Sequence, residues 1–188
     1  MYRNSIRLHL VTAFVLLYFA ACNGPEQPVY KTITEATLKA GEPIPLPDDK
    51  IILTVTGNIG TTNQDEQIVM DIATIESVGQ VEYVVHDPFK EEEVTYSGVL
   101  MNDLLDLWQV PAQAETLHMM ALNDYQVDVP LQLIHDYPII FALQADGVYM
   151  PVTEKGPAML VLPYDHYEFE RPSSDAYWIW QIKSIDVE

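Results

Sequence analysis

A β-rich α+β domain is the fold class this sequence predicts, on three observations. Short alternating, β-branched runs recur along the chain, as in "IILTVTG", "VEYVVH" and "YQVDVP". A period of two buries one face of a strand. Asp146-Gly147 stands between the apolar runs "PIIFAL" and "VYMPV", and an Asp-Gly pair supplies the positive φ angles of a tight hairpin turn. Helical spacing is confined to a few short stretches, so strands dominate.

The elements follow in order. Residues 23–49 contain Pro25, Pro28, Pro43, Pro45 and Pro47, a composition that favours stiff, extended chain. This segment is expected to be a tether, with one short strand in "VYKTITEATL". The folded domain is expected over residues 50–188, its first strand ending at Gly57. "QIVM" is a second short strand, and Asp71 is placed to N-cap a short helix, "DIATIESV". "VEYVVH" and "EVTYSGVL" are strands. "MNDLLDLW" is a helix, because Met101, Leu104, Leu105 and Trp108 share one face at i, i+3, i+4 and i+7. "TLHMMAL" is apolar on both faces and reads as a central strand. "YQVDVP" alternates, "LQLIHDY" is a short helix after Pro130, "AMLVLP" is a buried strand and "YWIWQIKSIDV" a long final one.

Charge and the N-terminus restrict the setting. The 188 residues carry a formal charge of −19, a field that repels nucleic acid and anionic headgroups. Residues 1–21 have a basic start, Arg3 and Arg7, then the apolar run "LHLVTAFVLLYFAA", the pattern of a signal peptide. "FAAC" resembles the lipobox of bacterial lipoproteins, with Phe19 in place of the usual Leu. That resemblance implies lipidation of Cys22, the only cysteine, and attachment to the periplasmic face of a bacterial membrane. Asn23 in the next position leans toward the outer membrane. The plainer alternatives are an ordinary cleaved signal or an uncleaved anchor with a bystander cysteine. With no second cysteine, the chain has no internal disulfide and no Cys-rich zinc site.

Three stretches in order, "VTYSGVLMNDLLDLW", "ALNDYQVDVPLQLI" and "GPAMLVLPYD" followed by "WIWQIKSIDV", resemble the oxidoreductase molybdopterin-binding domain, the sulfite-oxidase-like fold. The resemblance covers Ile51 to Val187 and is to the short, exported, stand-alone members. In enzymes of that family a cysteine thiolate holds the molybdenum, after the strand that precedes the Gly-Val-Leu-Leu segment. The matching region here is "YVVHDPF", which has no cysteine, and imidazole is a poor substitute for a soft thiolate. The family's cofactor also carries a phosphate, yet only Lys155 and Arg171 stand near matching positions. Enzymes loaded with this cofactor are exported folded on a twin-arginine signal, and Arg3 and Arg7 are not adjacent. No cofactor is therefore expected.

The candidate pocket residues are His86, Asp87, Asn123, Asp124, Tyr125, Lys155 and Arg171. His86 shares a strand face with Val84 and Glu82, opposite Val81, Tyr83 and Val85, and its plain reading is a polar strand end. Asp87 would point the other way, so their adjacency is not evidence for a catalytic pair. Asn123, Asp124 and Tyr125 form either a tight strand connection or, as the resemblance implies, a pocket mouth. Lys155 and Arg171 are either anion-binding groups or counter-charges to an acidic surface. Trp108, Trp178 and Trp180 read as core, the last two on one strand face. No metal ligand set, calcium loop, phosphate-binding Gly-rich loop, Gly-x-Ser-x-Gly or His-Glu-x-x-His is present.

The function expected is a lipid-anchored periplasmic binding or sensory module on a degenerate molybdopterin-binding fold, serving a small ligand or an envelope protein partner. The alternatives are a working molybdopterin oxidoreductase with an atypical metal ligand, which needs His86, Asp87 or an exogenous oxygen at the metal, and a structural envelope lipoprotein, which needs no cleft.

Overall fold

The computed structural model describes residues 28–188; Cys22 and the expected signal segment lie outside the described residues. Among the described residues, eleven strands form two sheets. The first has the order β1-β4-β5-β8-β10, with β9 hairpinned to β8. Its strands are β1 (Lys31–Thr34), β4 (Gln80–Asp87), β5 (Glu92–Leu100), β8 (Ile140–Ala145), β9 (Val148–Tyr149) and β10 (Met159–Val161). The second has the order β3-β2-β11-β6-β7, from β2 (Leu53–Gly57), β3 (Ile68–Met70), β6 (Thr116–Ala121), β7 (Gln126–Pro130) and β11 (Ile182–Val187). Only the β11–β2 pair is parallel among the described strand pairs.

Among the described residues, three short α-helices connect the sheets: α1 (Ile72–Glu76), α2 (Met101–Leu107) and α3 (Leu131–Asp136). Asp71 caps α1, accepting from the Thr74 amide at 2.8 Å, as its sequence position suggests. Met101, Leu104, Leu105 and Trp108 are all buried, the face that their spacing gives α2. The hairpin turn is as expected: Asp146 and Gly147 have φ of 51° and 76°, so the turn follows the twist of its flanking strands. None of the helices described is long and apolar enough to cross a membrane.

Three expectations need correction. The tether expected through residue 49 joins the folded body from Lys31 onward. β1 pairs with β4, Leu38 and Ile44 enter the core, and the Asp48 and Asp49 amides donate to the Asp71 carboxylate. Two apolar side chains outweigh the proline content. β6 is interior to its sheet, but it buries only Leu117, Met119 and Ala121, while Thr116, His118 and Met120 stay half-exposed. The long final strand is broken. A 3-10 helix occupies Ser173–Tyr177, Trp180 makes only an isolated bridge to Met159, Gln181 has φ 58°, and β11 starts at Ile182. Trp178 and Trp180 therefore do not share a strand face: Trp178 is buried and Trp180 is 36% exposed.

Candidate functional site

The chain after β4, the β6–β7 connection and the segment before β11 meet at a cleft of about 420 Å³ lined by Phe89, Ala121, Asn123, Tyr125, Asp175, Ala176, Trp178, Ile179 and Trp180, within the range of small-molecule sites. Each wall follows from local chain chemistry. Asp87 ends β4 on its inward face, and its Oδ1 accepts the amides of Phe89 at 2.8 Å and Lys90 at 3.1 Å. This side-chain turn presents the Phe89 ring to the cleft. The β6–β7 connection is equally tight: Asp124 has φ 64°, and the Tyr125 amide donates to Asn123 Oδ1 at 3.1 Å. The break before β11 places the indoles of Trp178 and Trp180 beside Phe89, edge to face, with centroids 6.4 and 5.3 Å from that ring.

Behind the aromatic wall lies a buried ion pair. Asp87 is fully buried. Its Oδ2 accepts from Lys155 Nζ at 2.5 Å and from the Tyr96 hydroxyl at 2.5 Å. Burial alone would push the Asp87 carboxyl up, but the Lys155 and Tyr96 hydrogen bonds and the Phe89 amide hold it below its ordinary value. Burial and the Asp87 charge together raise Tyr96 strongly. Lys155 Nζ also lies 5.7 Å from the Phe89 ring centroid and 5.9 Å from that of Trp180, inside cation–π range. The segment carrying Lys155 is anchored from β11's side, where the Gln181 amide donates to the Lys155 carbonyl at 3.0 Å. Gly156 is required there. A Cβ at that position would lie 1.8 Å from the Met150 carbonyl oxygen.

The second cation is likewise consumed. Arg171 forks onto Asp175, with Nε at 2.8 Å and Nη2 at 3.2 Å, and lies 5.0 Å from the Tyr164 ring centroid. Tyr164 donates to Ser174 at 2.9 Å and Asp175 at 3.0 Å. Burial, with Asp175 beside it, pushes the Tyr164 hydroxyl up to about 12.

Of the seven candidate pocket residues, Asn123 and Tyr125 line the cleft. Asp87 and Lys155 form the pair behind its wall, and Arg171 reaches its rim through Asp175. His86 and Asp124 are elsewhere. His86 is exposed on the outer face of β4, its amide donating to Asp165 at 2.7 Å, and Asp124 is drawn outward to Lys183 at 2.6 Å. Phe89, Trp178 and Trp180 escaped the sequence reading as cleft residues. An aromatic directly after a His-Asp-Pro exit was the available signal for Phe89.

No protein-family model matches the sequence, and no curated protein matches it. Among solved structures, the chain is similar to the crystal structure of the sulfane dehydrogenase SoxCD from Paracoccus pantotrophus, with a TM-score of 0.57 and 15% identity. The match covers 77% of this chain and 39% of that one. The β-rich α+β, sulfite-oxidase-like fold expected from the sequence is the fold of this protein.

Proposed function

We propose that this protein is a lipid-anchored periplasmic binding module on a sulfite-oxidase-like fold that has lost molybdenum chemistry. The observation that carries this reading is the state of Asp87. By the resemblance, the metal-binding cysteine of the enzymes falls within "YVVHDPF". Of the two residues there with a carboxylate or imidazole, only Asp87 faces inward, and both its oxygens are already engaged by Lys155, Tyr96 and two amides.

The donor set does not fit molybdopterin. A hard carboxylate neutralised by an ammonium is a poor ligand where a soft thiolate is needed. A phosphate needs cations, and both cations near the cleft are paired internally. No group of three or more His, Cys, Asp or Glu side chains able to hold a metal occurs among the described residues. No step is therefore assigned to that cofactor. What remains is an aromatic-walled cleft suited to binding. Membrane attachment is assigned to a lipid on Cys22, with a small ligand or an envelope protein as partner and no role for nucleic acid, because the charge of −19 opposes anionic surfaces.

Two measurements test this reading. Labelled palmitate is expected in the full-length protein and not in Cys22→Ser; equal labelling of both would remove the anchor. Protein exported from molybdate-replete and molybdate-starved cells is expected to unfold at the same temperature. A cofactor bound only to the native state would raise Tm in the replete preparation, and that rise would overturn the proposal.

A further inference from the structure

We infer, resting on the binding-module reading, that the cleft takes a neutral, planar, carbonyl-bearing ring system of two or three fused rings. Shape supplies the first part. Four of the nine residues lining the cavity of about 420 Å³ are aromatic, Phe89, Tyr125, Trp178 and Trp180, and aromatic faces and edges favour a flat π-system.

Charge supplies the second. Lys155 is bound to Asp87 and Arg171 to Asp175, so an anion meets no unpaired cation at the cleft and enters against a strongly negative protein. A cation is disfavoured for a different reason. Aromatic walls ordinarily suit one, but Lys155 Nζ already lies over the Phe89 and Trp180 rings and repels a second positive charge.

Hydrogen-bonding supplies the third. Neither the Asn123 side-chain NH2 nor the Tyr125 hydroxyl donates to a described residue. The one carboxylate in the wall, Asp175, is occupied by Arg171 and Tyr164. The lining thus offers spare donors and no spare charged acceptor, and a ligand whose edge carries carbonyl oxygens matches it.

The test is calorimetric titration of the mature protein with four probes of similar shape. These are 2,3-dimethyl-1,4-naphthoquinone, 2,3-dimethylnaphthalene, 2-naphthoate and (2-naphthylmethyl)trimethylammonium. The quinone is expected to bind at least about tenfold more tightly than the hydrocarbon, as two unmade hydrogen bonds would cost, and more tightly than either ion. Tyr125→Phe, at an exposed position, is expected to weaken the quinone roughly three- to tenfold and leave the hydrocarbon unchanged. Equal binding of quinone and hydrocarbon, tighter binding of an ion, or no binding of any probe by a cofactor-free protein overturns this inference and leaves the module reading standing. A preparation that carries molybdenum and a pterin overturns both.

Discussion

Replacing Asp87 by alanine is expected to lower the unfolding free energy by about 3–5 kcal/mol, the cost of removing one partner from a buried ion pair. The change strands the Lys155 ammonium and the Tyr96 hydroxyl beneath the cleft wall and deprives the Phe89 and Lys90 amides of their acceptor. Lys155→Met is expected to cost less, because Asp87 keeps Tyr96 and both amides and Lys155 retains some contact with solvent. The double variant Asp87→Leu with Lys155→Met is expected to be more stable than Asp87→Ala, since apolar packing can replace a buried pair at little net cost. Denaturant unfolding of the four proteins measures this directly. A loss below about 1 kcal/mol in Asp87→Ala, the range of an exposed pair, would show that the pair is solvated. The pH dependence has a definite sign. The folded Asp87 carboxyl titrates below its unfolded value, so its stabilisation is fully present above about pH 5. It is lost as pH falls through the unfolded value near about 4 and on through the folded one. Asp87→Asn is expected to flatten that acid limb.

Trp178→Ala is expected to cost about 3–5 kcal/mol as well, the range for deleting a large buried aromatic, and to abolish binding in the cleft. Trp178 is 1% exposed, and its ring packs against Phe89, Tyr96 and Tyr164. Trp178→Phe keeps the apolar bulk and removes the unpartnered N–H, so it is expected to be far milder, under about 1.5 kcal/mol. Equal destabilisation by Ala and Phe would mean that the indole N–H is essential to the fold.

Much of this arrangement was legible in residue order. The alternation in "VEYVVH" separates buried Tyr83 and Val85 from exposed Val84 and His86, and continuing it one residue puts Asp87 inside. Asp71, Asp146-Gly147 and the α2 face were equally local, since cap, turn and helix stripe depend on neighbours within a few positions. The Asp87–Lys155 pair was not legible, because 68 residues separate its members and only sheet topology brings them together. The C-terminal segment misled for a related reason. "YWIWQIKSIDV" alternates like a strand, but a 3-10 turn and a positive φ at Gln181 flank a short stretch in which Ile179 and Trp180 bond through their backbone to β10, a partner about 20 residues away that alternation does not reveal. That break exposes Trp180 and creates the cleft wall. The start of the domain was misplaced because proline content describes the chain's stiffness and not where Leu38 and Ile44 are buried.

The molybdenum and pterin content of the protein purified from its native host tests the proposed loss of molybdenum chemistry most directly. The expected result is neither metal nor pterin above background, with Asp87 and Lys155 occupying each other. Stoichiometric molybdenum with a pterin would contradict it and would make Asp87 the first residue to replace.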